Sequence, residues 1–397
     1  CIILMYYVYI SRSTYLDKVP ASSIVYTYFK EMTTMSFVGL YIMAFVMAFL
    51  ISFSSTPVAK KIAFKVGAIA QPRKRDMHSK PIPRMGGIAI VAGFMITLLF
   101  LYRYLTILDS TQIIGIVLGG LMIFLLGFFD DIYELGAKLK LGIQILAALT
   151  VALCGVRIDF ISIPFFEGLK FLDMLSIPIT IAWIVGVTNA VNLIDGLDGL
   201  AAGVSSIASL CLMVLSIYSG YPIAVFLTAT LAGACLGFLP YNFNPASIFM
   251  GDTGSTFLGF MLSVTSVLGL LKGYTIGTII VAVMILGLPI FDTAFAIIRR
   301  ALSGKPIMSP DRGHLHHRLV DKGYSHKHAV VTLYGVSGIL GLSAIAFAKH
   351  DFRFVVAVFV IMALLLFFNM KTMAAKELDE TDNEVPGPTD IDPLNKH

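Results

Sequence analysis

The chain reads as an all-α, polytopic membrane protein with about eleven transmembrane helices, its N-terminus outside and its C-terminus cytoplasmic. Three observations lead there. Of the 397 residues, 57% are apolar and only 13% charged, whereas a soluble domain carries about 25% charged residues. Mean hydropathy is +0.86. The apolar residues also fall in continuous runs of roughly 20, enough for a helix to cross a hydrocarbon core, and not in the short alternating segments of a membrane barrel. Disorder needs low hydrophobicity and is excluded. A nucleic-acid binder is excluded too, because the net charge of +5 is not gathered on a soluble basic face.

The runs lie at roughly 37–54, 85–106, 112–129, 139–156, 175–190, 201–219, 222–239, 254–271, 274–298, 329–348 and 353–369. Basic residues collect after the first run, from Lys60 to Arg84, and after the ninth, from Arg299 to Lys327. Both connections are cytoplasmic by the positive-inside rule, and an odd span count then places the termini. Residues 1–35 read as an upstream or disordered extension, with Met32 or Met35 as a start just before the first span. Residues 36–370 form the transmembrane domain. The stretch 371–397 is an acidic, proline-containing cytoplasmic tail with nothing to bury. Cys154, Cys211 and Cys235 sit inside apolar runs as small core residues, and no disulfide framework is expected.

A carboxylate next to hydrocarbon is costly and marks a function or a pairing partner. Asp130, Asp131, Asp195, Asp198, Asp252 and Asp292 all fall at cytoplasmic span ends, although their connections are separate in sequence. Any one of them alone is matched equally well by a helix-end charge. The adjacent pair Asp130-Asp131 repels itself unless a cation or a protonated partner intervenes. A solvated turn is the bland alternative. Asn189, Asn192, Asp195 and Asp198 recur every three residues, which on a helix makes one polar stripe. Gly196 and Gly199 permit close backbone approach to a ligand. Interhelical hydrogen bonding explains Asn189 but poorly explains two acids beside two glycines.

The segment Phe249-Met250-Gly251-Asp252 precedes a helix whose free N–H groups attract phosphate, with Ser255 read as a cap. In Asp311-Arg312-Gly313-His314-Leu315-His316-His317-Arg318, His and Arg form a compact set of phosphate donors. Zinc is disfavoured because no Cys accompanies them and adjacent His316 and His317 suit one tetrahedral ion badly. Lys80, in Lys80-Pro81-Ile82-Pro83, is a point charge for phosphate at the interface. Oxygen-only ligands favour Mg²⁺ or Mn²⁺. The chemistry that results is phosphoryl transfer between a polar phosphate donor and a membrane-dissolved acceptor.

These motifs together resemble the polyprenyl-phosphate N-acetylhexosamine-1-phosphate transferase family (glycosyltransferase 4 type) over about residues 37 to 370. The resemblance rests on Lys80-Pro81-x-Pro83 with Gly86-Gly87, Asp130-Asp131, Asn192-x-x-Asp195-Gly196-Leu197-Asp198-Gly199, Phe249-Met250-Gly251-Asp252-x-Gly254-Ser255 and the His-Leu-His-His run. It implies transfer of N-acetylglucosamine-1-phosphate from a UDP-sugar to undecaprenyl phosphate at the bacterial cytoplasmic membrane, with Mg²⁺, or Mn²⁺ in its place, releasing UMP. It also implies roles: Asp252 with Asp195 for the metal, and Asp130 and Asp131 for the lipid phosphate. Asp195, Asp198, His316 and His317 belong to the catalytic set. Lys80, Lys140, Asn192, Asn242, Phe249, His314 and Arg318 bind substrate, with Phe249 suited to stacking on uracil.

A phosphate monoester has its second pKa near 6, so the acceptor is already largely a dianion at neutral pH. Asp130 and Asp131 are therefore expected to position the acceptor, through Lys140 or the metal, more than to remove a proton. The pentapeptide-transferase branch usually carries three consecutive His, and the run here is His314-Leu315-His316-His317. That departure favours the N-acetylglucosamine branch, which starts teichoic acid, O-antigen or similar polymers. A transporter is the rival from another class, but such folds bind near the bilayer midplane and often show inverted repeats. A homodimer is left open.

Overall fold

The computed structural model describes residues 21–70, 81–104, 110–162, 169–269, 278–304, 313–349 and 353. Among them the architecture is helical: α1 (Ala21–Val66), α2 (Gly87–Leu101), α3 (Ser110–Tyr133), α4 (Ala137–Leu153), α5 (Ser176–Ile194), α6 (Leu200–Tyr218), α7 (Pro222–Asn242), α8 (Gly251–Gly269), α9 (Thr278–Ile285), α10 (Gly287–Leu302), α11 (Leu315–Asp321) and α12 (His326–Ala348). Two short antiparallel hairpins decorate the ends. In one, β1 (Ile69–Ala70) pairs with β2 (Ile82–Pro83); in the other, β3 (Phe160–Ser162) pairs with β4 (Leu169–Phe171).

Local sequence sets the helix ends. Pro222 opens α7, where a missing N–H costs nothing. The Ser325 hydroxyl accepts from the His328 N–H and caps α12. Gly199 turns the chain into α6 with φ +79°, a conformation L side chains rarely adopt.

Packing between helices relies on small residues, as it must where lipid tails compete equally for apolar side chains. A Cβ on Gly233 of α7 would lie 2.2 Å from the Phe45 carbonyl oxygen of α1, and one on Gly237 would lie 2.3 Å from that of Phe49. Helix α8 is the hub, lying against α2, α3, α5, α6 and α7. Every residue from Thr253 to Gly269 is buried. Enclosure by protein lets α8 carry Ser263 and Thr265, whose hydroxyls bond back to carbonyls in the preceding turn. The Trp183 indole N–H of α5 reaches the Ser266 hydroxyl at 3.0 Å.

The described residues carry part of the eleven expected spans as long apolar helices. Among the described residues, six helices are long and apolar enough to cross a membrane, or seven if a bent pair counts as one. Helix α2 has 15 residues and α4 has 17. Helix α8 begins with polar residues that its buried position tolerates. The eleventh run, 353–369, and the tail at 371–397 lie outside the described residues, apart from Arg353. The ninth run is not continuous: α9 and α10 meet at 89°, with Pro289 in the first turn of α10. Past the bend, exposed Phe291, Phe295, Ile298 and Leu302 make one apolar stripe along α10. A boundary at residue 35 falls inside α1, which begins at Ala21.

Candidate active site at one end of the bundle

A turn through Glu134, at φ 52°, folds α4 back on α3 and sets Lys140 beside Asp130. The Lys140 ammonium donates to Asp130 Oδ2 and, at 2.8 Å, to Asp252 Oδ2 at the start of α8. The Leu135 N–H donates to Asp130 Oδ1 at 2.7 Å. The side chain of Asn192, in the last turn of α5, hydrogen bonds to Asp252. Residues from α3, α4, α5 and α8 thus converge on one ionic cluster.

Asp131 faces a different way. Its Oδ1 accepts from the Asp252 N–H at 2.9 Å, and its Oδ2 accepts from the Thr253 N–H at 3.0 Å and from the Thr253 hydroxyl. On the other side of the same helix start, Phe249 N–H donates to the Pro83 carbonyl, while Gly86 and Gly87 N–H donate to the carbonyls of Phe249 and Met250, each at 2.8 Å. A Cβ on Gly87 would lie 2.1 Å from the Gly254 nitrogen, which is why this motif holds glycine. Arg84 in the same strap pairs with Glu134 at 3.0 Å. Half-buried Phe249 is fixed by its backbone on both sides.

The loop after α5 is braced from three directions. Asp198 Oδ2 accepts from the Asn244 side chain at 3.0 Å and the Ala246 N–H at 3.1 Å. Asn242 accepts from the Gly199 N–H and donates to the Ile248 carbonyl, both at 3.1 Å. The Tyr334 hydroxyl of α12 donates to the Gly199 carbonyl at 2.6 Å. Asp198 and Asn242 therefore tie two loops together. Asp195 ends α5, and burial, followed by repulsion from Asp252, Asp131 and Asp198, pushes its carboxyl up to about 8.

The His segment docks through Asp292. That carboxylate meets His314 Nδ1 at 2.9 Å and accepts from the Leu315 N–H at 2.8 Å, at the start of α11. His316 is buried, and among the described residues neither ring nitrogen has a hydrogen-bond partner. Its ring lies parallel to that of His314 and 4.2 Å from that of His317. A Cβ on Gly196 would lie 2.1 Å from His316 Nε2, so the His segment rests on the Asp195–Asp198 loop. Burial, with His317 alongside, holds His316 down to about 4, so the ring is neutral.

Of the sequence-derived residues, Asp130, Asp131, Lys140, Asn192, Asp195 and Asp252 form one cluster, and Asp198, Asn242, His314, His316 and His317 adjoin it. Arg318 is exposed on α11. Lys80 lies outside the described residues. Three residues escape the sequence argument. Asp292 stands among the acids of this face without a role; Thr253 is hidden beside Asp252; and Tyr334 sits in an apolar run with nothing to mark it.

Among the described residues no three His, Cys, Asp or Glu side chains form a protein-only metal cage. Mg²⁺ seldom needs one, since it binds through one or two carboxylates plus substrate phosphates. Asp252 and Asp195, with the amide of Asn192, offer hard oxygen donors in a crowd of negative charge, and this donor chemistry suits such an ion.

A family model for glycosyl transferase family 4 matches residues 113–270. A probable undecaprenyl-phosphate N-acetylglucosaminyl 1-phosphate transferase of Bacillus subtilis is 43% identical over 329 residues, 83% of this chain and 90% of that protein. The chain belongs to glycosyl transferase family 4. Other members similar to it are a decaprenyl-phosphate N-acetylglucosaminephosphotransferase of Mycolicibacterium smegmatis, 37% identical over 80% of this chain and 86% of its own, and a phospho-N-acetylmuramoyl-pentapeptide-transferase of Rickettsia felis, 31% identical over 77% and 92%. The family model covers α3 through α8, the helices that supply the ionic cluster.

Proposed function

We propose that this family member transfers N-acetylglucosamine-1-phosphate from UDP-N-acetylglucosamine to undecaprenyl phosphate at the cytoplasmic face of a bacterial inner membrane. The product is the lipid-diphosphate-sugar that starts an envelope polysaccharide, and UMP leaves. The names and extent of the relatives support the donor and acceptor. The observation that carries the chemistry is Lys140 held between Asp130 and Asp252 at the membrane end of three helices.

In the reaction an oxygen of the lipid phosphate attacks the β-phosphorus of the UDP-sugar, and the bond from that phosphorus to the oxygen bridging it to the α-phosphate breaks. Asp252 and Asp195 would hold a Mg²⁺ ion that neutralises the diphosphate charge. Lys140 orients the incoming lipid phosphate by its charge while Asp130 fixes Lys140 in place. Phe249 offers a face for the uracil ring. His314, His316 and His317 line the sugar-phosphate side, with neutral His316 able to donate one ring N–H without carrying charge. The basic residues in the connections after α1 and α10 support an orientation with this end of the bundle inside the cell, the N-terminus outside and the tail inside.

UMP release by purified protein in detergent with undecaprenyl phosphate, compared across UDP-N-acetylglucosamine, UDP-N-acetylgalactosamine and UDP-N-acetylmuramoyl-pentapeptide, tests the assignment. Release is expected with the first donor and little or none with the others. Release with the pentapeptide donor alone would move the chain to the peptidoglycan branch, and no release with any donor would reopen the transporter alternative.

A further inference from the structure

We propose that Asp131 is a positioning residue, distinct in role from its neighbour Asp130: it caps the first turn of α8 from outside that helix and thereby aims Asp252. A helix start leaves several N–H groups without partners. A capping side chain normally comes from the residue just before the helix. Here that region is Met250-Gly251, which has no capping oxygen to offer. Asp131, 121 residues earlier in the chain, supplies it, taking the N–H groups of Asp252 and Thr253 and the Thr253 hydroxyl on its two oxygens. All three are donors of α8 itself. Asp131 is also buried, 4% exposed, whereas the Asp252 side chain is 30% exposed and shared with Lys140.

The surrounding backbone is shaped for this contact. Gly251 has φ +72°, and a Cβ there would lie 2.5 Å from Asp131 Oδ2. A Cβ on Gly127, one turn before Asp131 on α3, would lie 2.5 Å from the Thr253 Cα. Small residues at both points let α3 and the start of α8 touch directly. A buried carboxylate on a helix N-terminus also gains from the helix dipole. One member of the Asp-Asp pair therefore holds the helix, and the other holds Lys140.

This proposal rests on the assignment of Asp252 to the metal, so the test reads the cap and the metal separately. Full-length Asp131→Asn, Thr253→Val, the double variant and Thr253→Ser are purified in detergent. Hydrogen exchange of the amides at 252–256 is followed, and Mn²⁺ affinity is measured by electron paramagnetic resonance. Both Asp131→Asn and Thr253→Val should speed exchange in the first turn of α8 and weaken Mn²⁺ binding, by about tenfold for the loss of Asp131, as expected when a supporting partner of a ligand is lost. The double variant should be no worse than the stronger single, since both act on one contact, and Thr253→Ser should stay near wild type. Asp131→Asn protein that loses turnover while exchange and Mn²⁺ affinity stay unchanged overturns the proposal. Faster exchange in both variants supports the cap even if Asp252→Asn binds Mn²⁺ as wild type does, an outcome that instead overturns the metal assignment.

Discussion

Lys140 and Asp252, 112 residues apart in sequence, meet at 2.8 Å, and the same ammonium holds Asp130. The ammonium thus sits on an oxygen that a divalent ion would also use, so the two compete while both assist phosphate binding. Lys140→Met should lower turnover by about a hundredfold or more, the scale for losing one charge-stabilising donor. Mn²⁺ affinity should rise in the same variant. Turnover within threefold of wild type would remove Lys140 from the chemistry.

Asp130 has both oxygens engaged, one by Lys140 and one by the Leu135 N–H. These contacts fit Asp130 as the group that holds Lys140, and the acceptor phosphate is largely ionised at neutral pH in any case. Asp130→Asn should therefore lose activity by a similar factor at every pH between 6.5 and 9. A deficit that raising the pH largely restores would show that Asp130 removes a proton.

How much of this site the sequence discloses depends on the distance over which each contact acts. Apolar runs end where polar residues begin, a property visible one residue at a time, so the gathering of Asp130, Asp195, Asp252 and the His segment at one end is legible. Which acid meets which partner is not. Asp130 and Asp131 look equivalent as neighbours, yet they sit at different angles around α3 and reach Lys140 and α8 respectively. The bend at Leu286 is masked because apolar residues continue through it, with Pro289 as the single hint. Asp292 gains its role only when Leu315, 23 residues later, folds back onto it.

His316 lets acid pH be read as stability. An ordinary histidine takes a proton near 6.5, whereas folded His316 resists protonation down to about 4. Below pH 6.5 the unfolded chain binds a proton that the folded chain does not, so this group's contribution falls as pH drops from 6.5 toward 4 and levels off below. His316→Gln removes that titration. Its melting temperature in detergent should decline less than wild type between pH 6.5 and 4.5. Parallel declines would mean that His316 is protonated in the folded protein.

Asp292 anchors the His segment through one contact to a side chain and one to the backbone of Leu315. Asp292→Asn keeps an acceptor for the Leu315 N–H but loses the charge beside His314. Turnover should fall about tenfold while Mn²⁺ affinity holds, because the proposed metal donors, Asp195 and Asp252, lie at the end of α5 and the start of α8. A matching loss of Mn²⁺ affinity would place Asp292 within the metal site.

Tyr334 reaches from α12 to the Gly199 carbonyl at 2.6 Å, and its ring fills the space above Gly203, where a Cβ would lie 2.0 Å from the ring. Tyr334→Phe preserves the ring and deletes the bond, a loss of about 1 kcal/mol of stability. The Asp195–Asp198 loop then keeps its bracing from Asn242 and Asn244 but loses its tie to α12. The expected kinetic result is a KM for the UDP-sugar several-fold higher with kcat within about twofold, since uniform binding is what a loosened loop gives up. Gly203→Ala acts on the same contact from the other side by displacing the ring, and should cost about 1–3 kcal/mol as an overpacked core does. If Tyr334→Phe instead lowers kcat and leaves KM alone, the loop contributes in the transition state, and Tyr334 would be supporting the chemistry through it.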